Sequence, residues 1–341
     1  MYVDGNIVKL ISDYIDNNNF KLSSAIGLRT KNTTLVLTLS FENVKVINMQ
    51  YPPACFEGWA VILKTYVIDI YPQCYDKVQL SCPNITLTKD TKVHLMRFLY
   101  RVLRFSEQYD WFTIDDELAD VINSFKPYLQ KRLVNNYPNP CDSTAPAKIN
   151  ESTIEFLLSK KTTDGTDKTL YTYFNKIGIP NDGLTIDRQL PVGLFIGTNG
   201  SNIRFFPGGK AAIDLWGSTQ TKPNDFYLFE LKYNNPMIGT ITEAFFYANY
   251  MHDLLDKNGA FTLSDNGKDN FRNYSTIYSL KDKNINKIHA VMLLDKGSIH
   301  PTITPELLDV LNKGNQKAIE YSLAEYEFDE AKRTITDIGP K

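Results

Sequence analysis

The chain has 341 residues, of which 43% are hydrophobic, 12% aromatic and 22% charged, with a formal net charge of −2. That length suits two domains of about 150 residues each, and 20 Tyr with 19 Phe supply a sizeable core without disulfide or metal staples. The near-balanced charge excludes a whole-protein field for polyanions, so any nucleic-acid surface must be a local patch.

The opening stretch MYVDGNIVKLISDYIDNNNF carries acids on an amphipathic pattern, with residues 8–17 reading as a helix. It lacks the basic region and apolar run of a signal peptide. No stretch approaches the roughly 18–20 apolar residues of a membrane span. The four cysteines, Cys55, Cys74, Cys82 and Cys141, form no C-x-x-C pair, and only four His are present, which argues against a structural zinc site. The expected setting is a reducing cytoplasm, with no membrane partner.

Further along the first half, residues 34–50, 59–71 and 77–87 alternate apolar and β-branched residues with polar ones, the pattern of strands. Residues 90–107 have helical spacing, with Val93, Met96, Leu99, Tyr100 and Leu103 on one stripe, and a further helix is expected over 116–134. The Pro- and Asn-rich segment from Asn135 to Lys148 is the best linker. It sets an α+β N-terminal domain over 1–140, for recognition or partner binding, apart from a second domain over 148–341.

In the second half, helices are expected over 151–160 and 167–177, then strand pieces over 191–196, 203–206 and 211–216 between Gly-containing turns. A strong strand covers 226–233, a helix 241–255, a strand 287–294, a helix 305–316 and a strand 320–328. The mixed order predicts an α/β (α+β) domain with a central mixed sheet flanked by helices.

The chemistry concentrates between KAAIDLW and DFYLFELKYNN. Side chains of a strand alternate between faces, so Leu228, Glu230 and Lys232 share one face while Tyr227, Phe229, Leu231 and Tyr233 share the other. Burying Glu230 or Lys232 alone is costly; two carboxylates, a lysine and a divalent cation form a compensated set. Phosphodiester hydrolysis asks for such a set, since a hard cation held by carboxylates polarises the phosphoryl oxygen and lowers the pKa of a bound water. Asp214 and Glu230 are the candidate ligands. Lys232 is placed to orient the water and stabilise developing negative charge. Taken alone, E-x-K on a strand is more often a solvated face with a cross-strand partner. Asp214 closes an apolar run as a hairpin partner would, and the helix after the strand carries Glu243 and Tyr247 at i, i+4 beside the small residues Ala244 and Ala248.

The set Asp214-(x)15-Glu230-x-Lys232, followed by Glu243-x-x-x-Tyr247, resembles the PD-(D/E)xK nuclease superfamily, the restriction-endonuclease-like fold. The resemblance covers roughly Leu190 to Phe328. It implies that Asp214 and Glu230 bind Mg²⁺ or Mn²⁺ and that Lys232 serves the nucleophilic water. A related helix in the RecB-like branch carries Gln-x-x-x-Tyr; here Glu243 replaces the Gln and Tyr247 matches the Tyr. Ile213 stands where the motif has Pro. Some branches add an acid from the helix before the hairpin, the place of Glu155.

Three signals are weaker. Arg97, Arg101 and Arg104 fall at i, i+4, i+7 of one helix, either a phosphate-contacting stripe or, more ordinarily, a solvated face. FFPGGK lacks the phosphate-loop pattern and reads as a hairpin turn, with Lys210 in reach of nucleic acid. His252 and His289 read as structural. The function expected is a metal-dependent nuclease acting on nucleic acid, DNA in the first instance. A homodimer, RNA as substrate, and a non-catalytic nucleic-acid or protein interaction role on the same scaffold stay open.

Overall fold

The computed structural model describes the chain except for residues 19, 89–91, 141–145, 161–168, 181–183, 199–202, 209–210, 220–223, 265–270, 284 and 316–317. In chain order the elements begin α1 (Gly5–Tyr14), β1 (Gly27–Lys31), β2 (Thr34–Thr38), α2 (Phe41–Val44), α3 (Phe56–Leu63), β3 (Lys77–Ser81), α4 (Val93–Gln108), β4 (Phe112–Ile114) and α5 (Asp116–Leu129). They continue with β5 (Leu133–Asn135), α6 (Glu151–Ser159), α7 (Leu170–Tyr173), β6 (Thr185–Pro191), β7 (Leu194–Ile196), β8 (Ala212–Ser218), β9 (Asp225–Lys232) and α8 (Gly239–Leu255). The last are β10 (Phe261–Thr262), α9 (Ser275–Lys283), β11 (Lys287–Asp295), α10 (Pro305–Asn312), β12 (Ile319–Asp329) and β13 (Thr334–Pro340). The fold is mixed α/β, with several sheets flanked by helices. Among the described residues no helix is long and apolar enough to cross a membrane.

Two compact units emerge. The first comprises Met1–Lys131, Met237–Phe245 and His300–Lys317, and the second Arg132–Pro236, Phe246–Ile299 and Ala318–Lys341. The expected break in the segment 135–148 differs from this division. The chain leaves the first unit at Lys131, and β5, placed in the N-terminal domain by its sequence, pairs with β7 and β10 of the second. Two later segments return to the first unit, α10 among them. A Pro- and Asn-rich composition marks loops, but it does not show which unit the following chain joins.

The first unit holds a four-stranded sheet in the order β1-β2-β3-β4, antiparallel between β1 and β2 and parallel thereafter. The strand expected over 59–71 is instead α3, which runs into a π-helical turn over Lys64–Ile68. All eight residues of α3 are buried. A helix buried all round has no polar face, so its apolar run mimics a strand. The strand begun at Thr34 stops at Thr38, where α2 begins after Ser40. The helix over 116–134 ends at Leu129, with Pro127 in its final turn. That proline withdraws a main-chain donor.

The second unit is built on a six-stranded mixed sheet in the order β13-β12-β11-β9-β8-β6. β9, β11 and β12 run parallel, while β8, β6 and β13 join antiparallel. The alternation expected in β9 holds: Tyr227, Phe229 and Leu231 enter a core with Ile154 and Leu158 of α6 and Leu215 of β8, and Tyr233 packs against it. Gly217 of β8 is required by close approach, because a Cβ there would lie 2.3 Å from the Thr185 carbonyl oxygen of β6. Neither β13 nor α9 is expected from the sequence, and β6 is only partly so. The strand expected over 203–206 is reduced to a single bridge between Phe195 and Arg204.

Candidate active site

β8 and β9 pair antiparallel, with Leu215 opposite Phe229 at the end of the ladder; Asp214 and Glu230 are the next residue of each strand. The half-buried Asp214 accepts a hydrogen bond at 2.9 Å through Oδ2 from the main-chain N–H of Leu231, the residue between Glu230 and Lys232. Glu230 and Lys232 are 2% and 3% exposed. They form an ion pair, Lys232 Nζ donating to Glu230 Oε1 and, at 3.1 Å, to the Leu231 carbonyl. The Tyr326 hydroxyl donates to the Lys232 carbonyl at 2.9 Å, fixing the end of β9 to β12.

A third acid joins from α6. The helix starts in a capping box, the Asn150 side chain accepting from the Thr153 N–H while Thr153 Oγ1 accepts from the Asn150 N–H. Glu151 and Glu155 follow on one face, four residues apart. Glu151 Oε1 accepts from the Tyr233 N–H at 3.4 Å, and Glu155, 3% exposed, accepts from Gln189 Nε2 at 2.6 Å. Burial and then the charge of Glu155 push the Asp214 carboxyl well above the usual carboxylate range, against the pull of Lys232 and the Leu231 N–H. The Glu155 carboxyl is likewise raised, chiefly by burial, while its hydrogen bond from Gln189 and the charges of Arg188 and Lys232 oppose the rise. A neighbouring acid thus adds to burial in both cases, Glu155 acting on Asp214 and Glu151 on Glu155.

The other expected residues have surroundings of their own. Glu243 is buried and belongs to the first unit, where the Gln50 amide, turned to satisfy both groups, donates to its two carboxylate oxygens at 2.7 and 3.3 Å. Tyr247, 4% exposed, belongs to the second unit, with its ring 5.5 Å from that of Phe246. Of the expected arginine stripe, Arg97 and Arg101 are buried and Arg104 is half-buried. Arg101, 1% exposed, pairs with Glu57 at 2.7 Å and donates to the Ala54 carbonyl at 2.9 Å. Arg97, 2% exposed, donates to Asn48 at 2.7 Å, and Arg104 pairs with Glu107 along the helix. Arg97 and Arg101 mark a second enclosed side of the helix, and a guanidinium sealed with its carboxylate, as Arg101 is with Glu57, cannot reach a phosphate. Lys210 lies outside the described residues. His289 is bracketed by Asp225 at 3.2 Å and Glu320 at 3.5 Å and stacks on Tyr227, in keeping with a structural role.

Two residues beside the acids went unnoticed in sequence. Glu151 is signalled only by its four-residue offset from Glu155. Gln189 lies in TIDRQLP, where Ile186 and Leu190 alternate with polar residues, a strand signal cut short by reading the strand from Pro191.

Among the described residues, no group of three or more His, Cys, Asp or Glu side chains is placed to hold a metal ion. The fit to Mg²⁺ rests on the oxygen donors of the half-buried Asp214 and the buried Glu155, each acted on by the charge of Lys232. Hard oxygen donors suit that ion, which keeps several waters and needs few protein ligands. No protein family, no curated protein and no solved structure matches the chain.

Proposed function

We propose that the chain is a metal-dependent nuclease, hydrolysing phosphodiester bonds of nucleic acid, in the first instance DNA, from a restriction-endonuclease-like second unit. The observation that carries this reading is the hydrogen bond from the Leu231 N–H to Asp214. It ties the acid of one strand to the peptide between the Glu and Lys of the next, which supports reading Asp214, Glu230 and Lys232 as one set. Bound Mg²⁺ or Mn²⁺ would polarise the phosphoryl oxygen and lower the pKa of a water. Asp214 and Glu230 would hold the ion, with Glu155 as a third acid beside them. Lys232 would orient the attacking water and offset charge developing on the phosphoryl oxygens.

One observation favours a second reading, a non-catalytic interaction protein on the same scaffold. Glu230 and Lys232 already satisfy one another as a buried pair, which a relic site would also show. Isothermal titration with Mn²⁺ separates the two. Wild type should bind and Asp214→Ala should not, whereas a relic binds in neither case.

A further inference from the structure

We propose that Gln189 is a positioning residue of the candidate site, holding the Glu155 carboxylate toward Asp214 from a left-handed kink in β6. This inference rests on the nuclease reading. The β6–β8 ladder pairs Arg188 with Leu215 and Leu190 with Ile213, so Gln189 stands opposite Asp214. Its φ of 56° is left-handed, inside a strand and on a residue that is not glycine. Such conformations persist only where surroundings over-determine them, and they cluster at functional sites.

Three bonds fix it. Gln189 Nε2 donates to Glu155 Oε2 at 2.6 Å. Arg272 Nη1 donates to the Gln189 carbonyl oxygen. Asn273 Nδ2 donates to Asp187 Oδ2 at 2.5 Å, two residues upstream in the same strand. Arg272 and Asn273 are themselves left-handed, both with φ 52°, in the 3-10 turn Phe271–Asn273. A clamp of two strained residues therefore grips the one strained residue of β6. What that strain achieves is the aim of one amide. In a regular strand the side chain at 189 would follow the pleat; the kink turns it to the helix that carries Glu155. The amide supplies a hydrogen-bond donor to a carboxylate that is buried.

The test uses Gln189→Gly, which keeps a comfortable left-handed backbone and removes the amide, and Gln189→Met, which keeps size and backbone demand. Side-chain carboxyl ¹³C NMR follows Glu155, assigned with Glu155→Gln, through pH titration in EDTA. Mn²⁺ alone is then titrated into each protein at pH 6. Positioning predicts that Glu155 titrates at higher pH in both variants and that Mn²⁺ affinity at pH 6 falls about tenfold, the worth of one hydrogen bond to a charged group. A purely structural role would move the unfolding midpoint and leave the Glu155 titration in place, and an unshifted Glu155 in either folded variant overturns the proposal. The NMR readout needs no cleavage. A wild type that neither binds Mn²⁺ nor cleaves, with the Glu155 shift still seen in both Gln189 variants, refutes the nuclease reading while upholding the hydrogen-bonded positioning of Glu155.

Discussion

The carboxylate of Asp214 is bonded to the main-chain N–H of Leu231, 2.9 Å away on the neighbouring strand. That contact sets an acid of β8 against the peptide linking Glu230 to Lys232. It makes the protonation of Asp214 a property of the sheet as well as of the side chain.

The raised Asp214 carboxyl gives stability a pH dependence with a defined sign. The native state keeps this proton where the unfolded chain, with a carboxyl near pH ~3.9, has released it. The stabilisation is complete below the unfolded value and declines as pH rises toward the raised native one. Urea unfolding in EDTA between pH 4 and 8 should therefore show wild type losing stability with rising pH more steeply than Asp214→Asn. Parallel pH curves for the two would mean that Asp214 ionises as freely in the fold as in the unfolded chain.

Lys232→Ala separates binding from chemistry. The lysine and Glu230 are both buried, and removing one partner of such a pair typically costs about 3–5 kcal/mol because the other charge is stranded. The variant should be destabilised in EDTA, regain stability on adding Mn²⁺, and bind that ion at least as well as wild type. Its single-turnover cleavage should fall on the order of 10²–10³, the loss seen when one preorganised stabilising donor is removed. Thermal unfolding with and without Mn²⁺, alongside cleavage rates, decides this; full activity in Lys232→Ala would remove the lysine from the mechanism.

In the first unit, Arg101 tests whether a basic stripe read from sequence meets nucleic acid. Glu57 accepts from both Arg101 at 2.7 Å and Thr242 at 3.0 Å, inside a sealed environment. Arg101→Met should lose about 3–5 kcal/mol in urea unfolding, and Arg101→Met with Glu57→Met much less, since no charge is then left alone. Nucleic-acid affinity of the folded double variant, and its slope against salt, should match wild type. A shallower salt slope would show that Arg101 does contact phosphate.

How far the sequence reveals these features depends on periodicity. β9, β11 and β12 alternate or run apolar over eight residues or more, long enough for period to identify them, and the two faces of β9 follow directly. Asp214, Glu230 and Lys232 are legible for the same reason: polar groups on an apolar strand are conspicuous. α3 is not, because burial on every side erases the polar face that distinguishes 3.6 from 2. Arg101 misleads for the converse reason, since a charge matched by a distant carboxylate looks like surface until Glu57 is brought to it. The division into units is illegible locally, because Met237–Phe245 and His300–Lys317 rejoin the first unit through contacts far away in sequence. Gln189 hides because a left-handed φ on Gln carries no compositional mark.

Single-turnover cleavage of linear, circular and single-stranded DNA by wild type and Glu230→Gln, each in Mg²⁺, Mn²⁺ and EDTA, tests the nuclease assignment most directly. Gln is nearly isosteric with Glu but neutral, so it weakens the hold on a cation without opening a void. Wild type should cleave in Mg²⁺ or Mn²⁺ and not in EDTA, and Glu230→Gln, folded as judged by circular dichroism, should lose that cleavage. Undiminished cleavage by Glu230→Gln, or no cleavage by wild type on these DNA substrates or on RNA with no Mn²⁺ bound, would contradict a nuclease site at Asp214, Glu230 and Lys232.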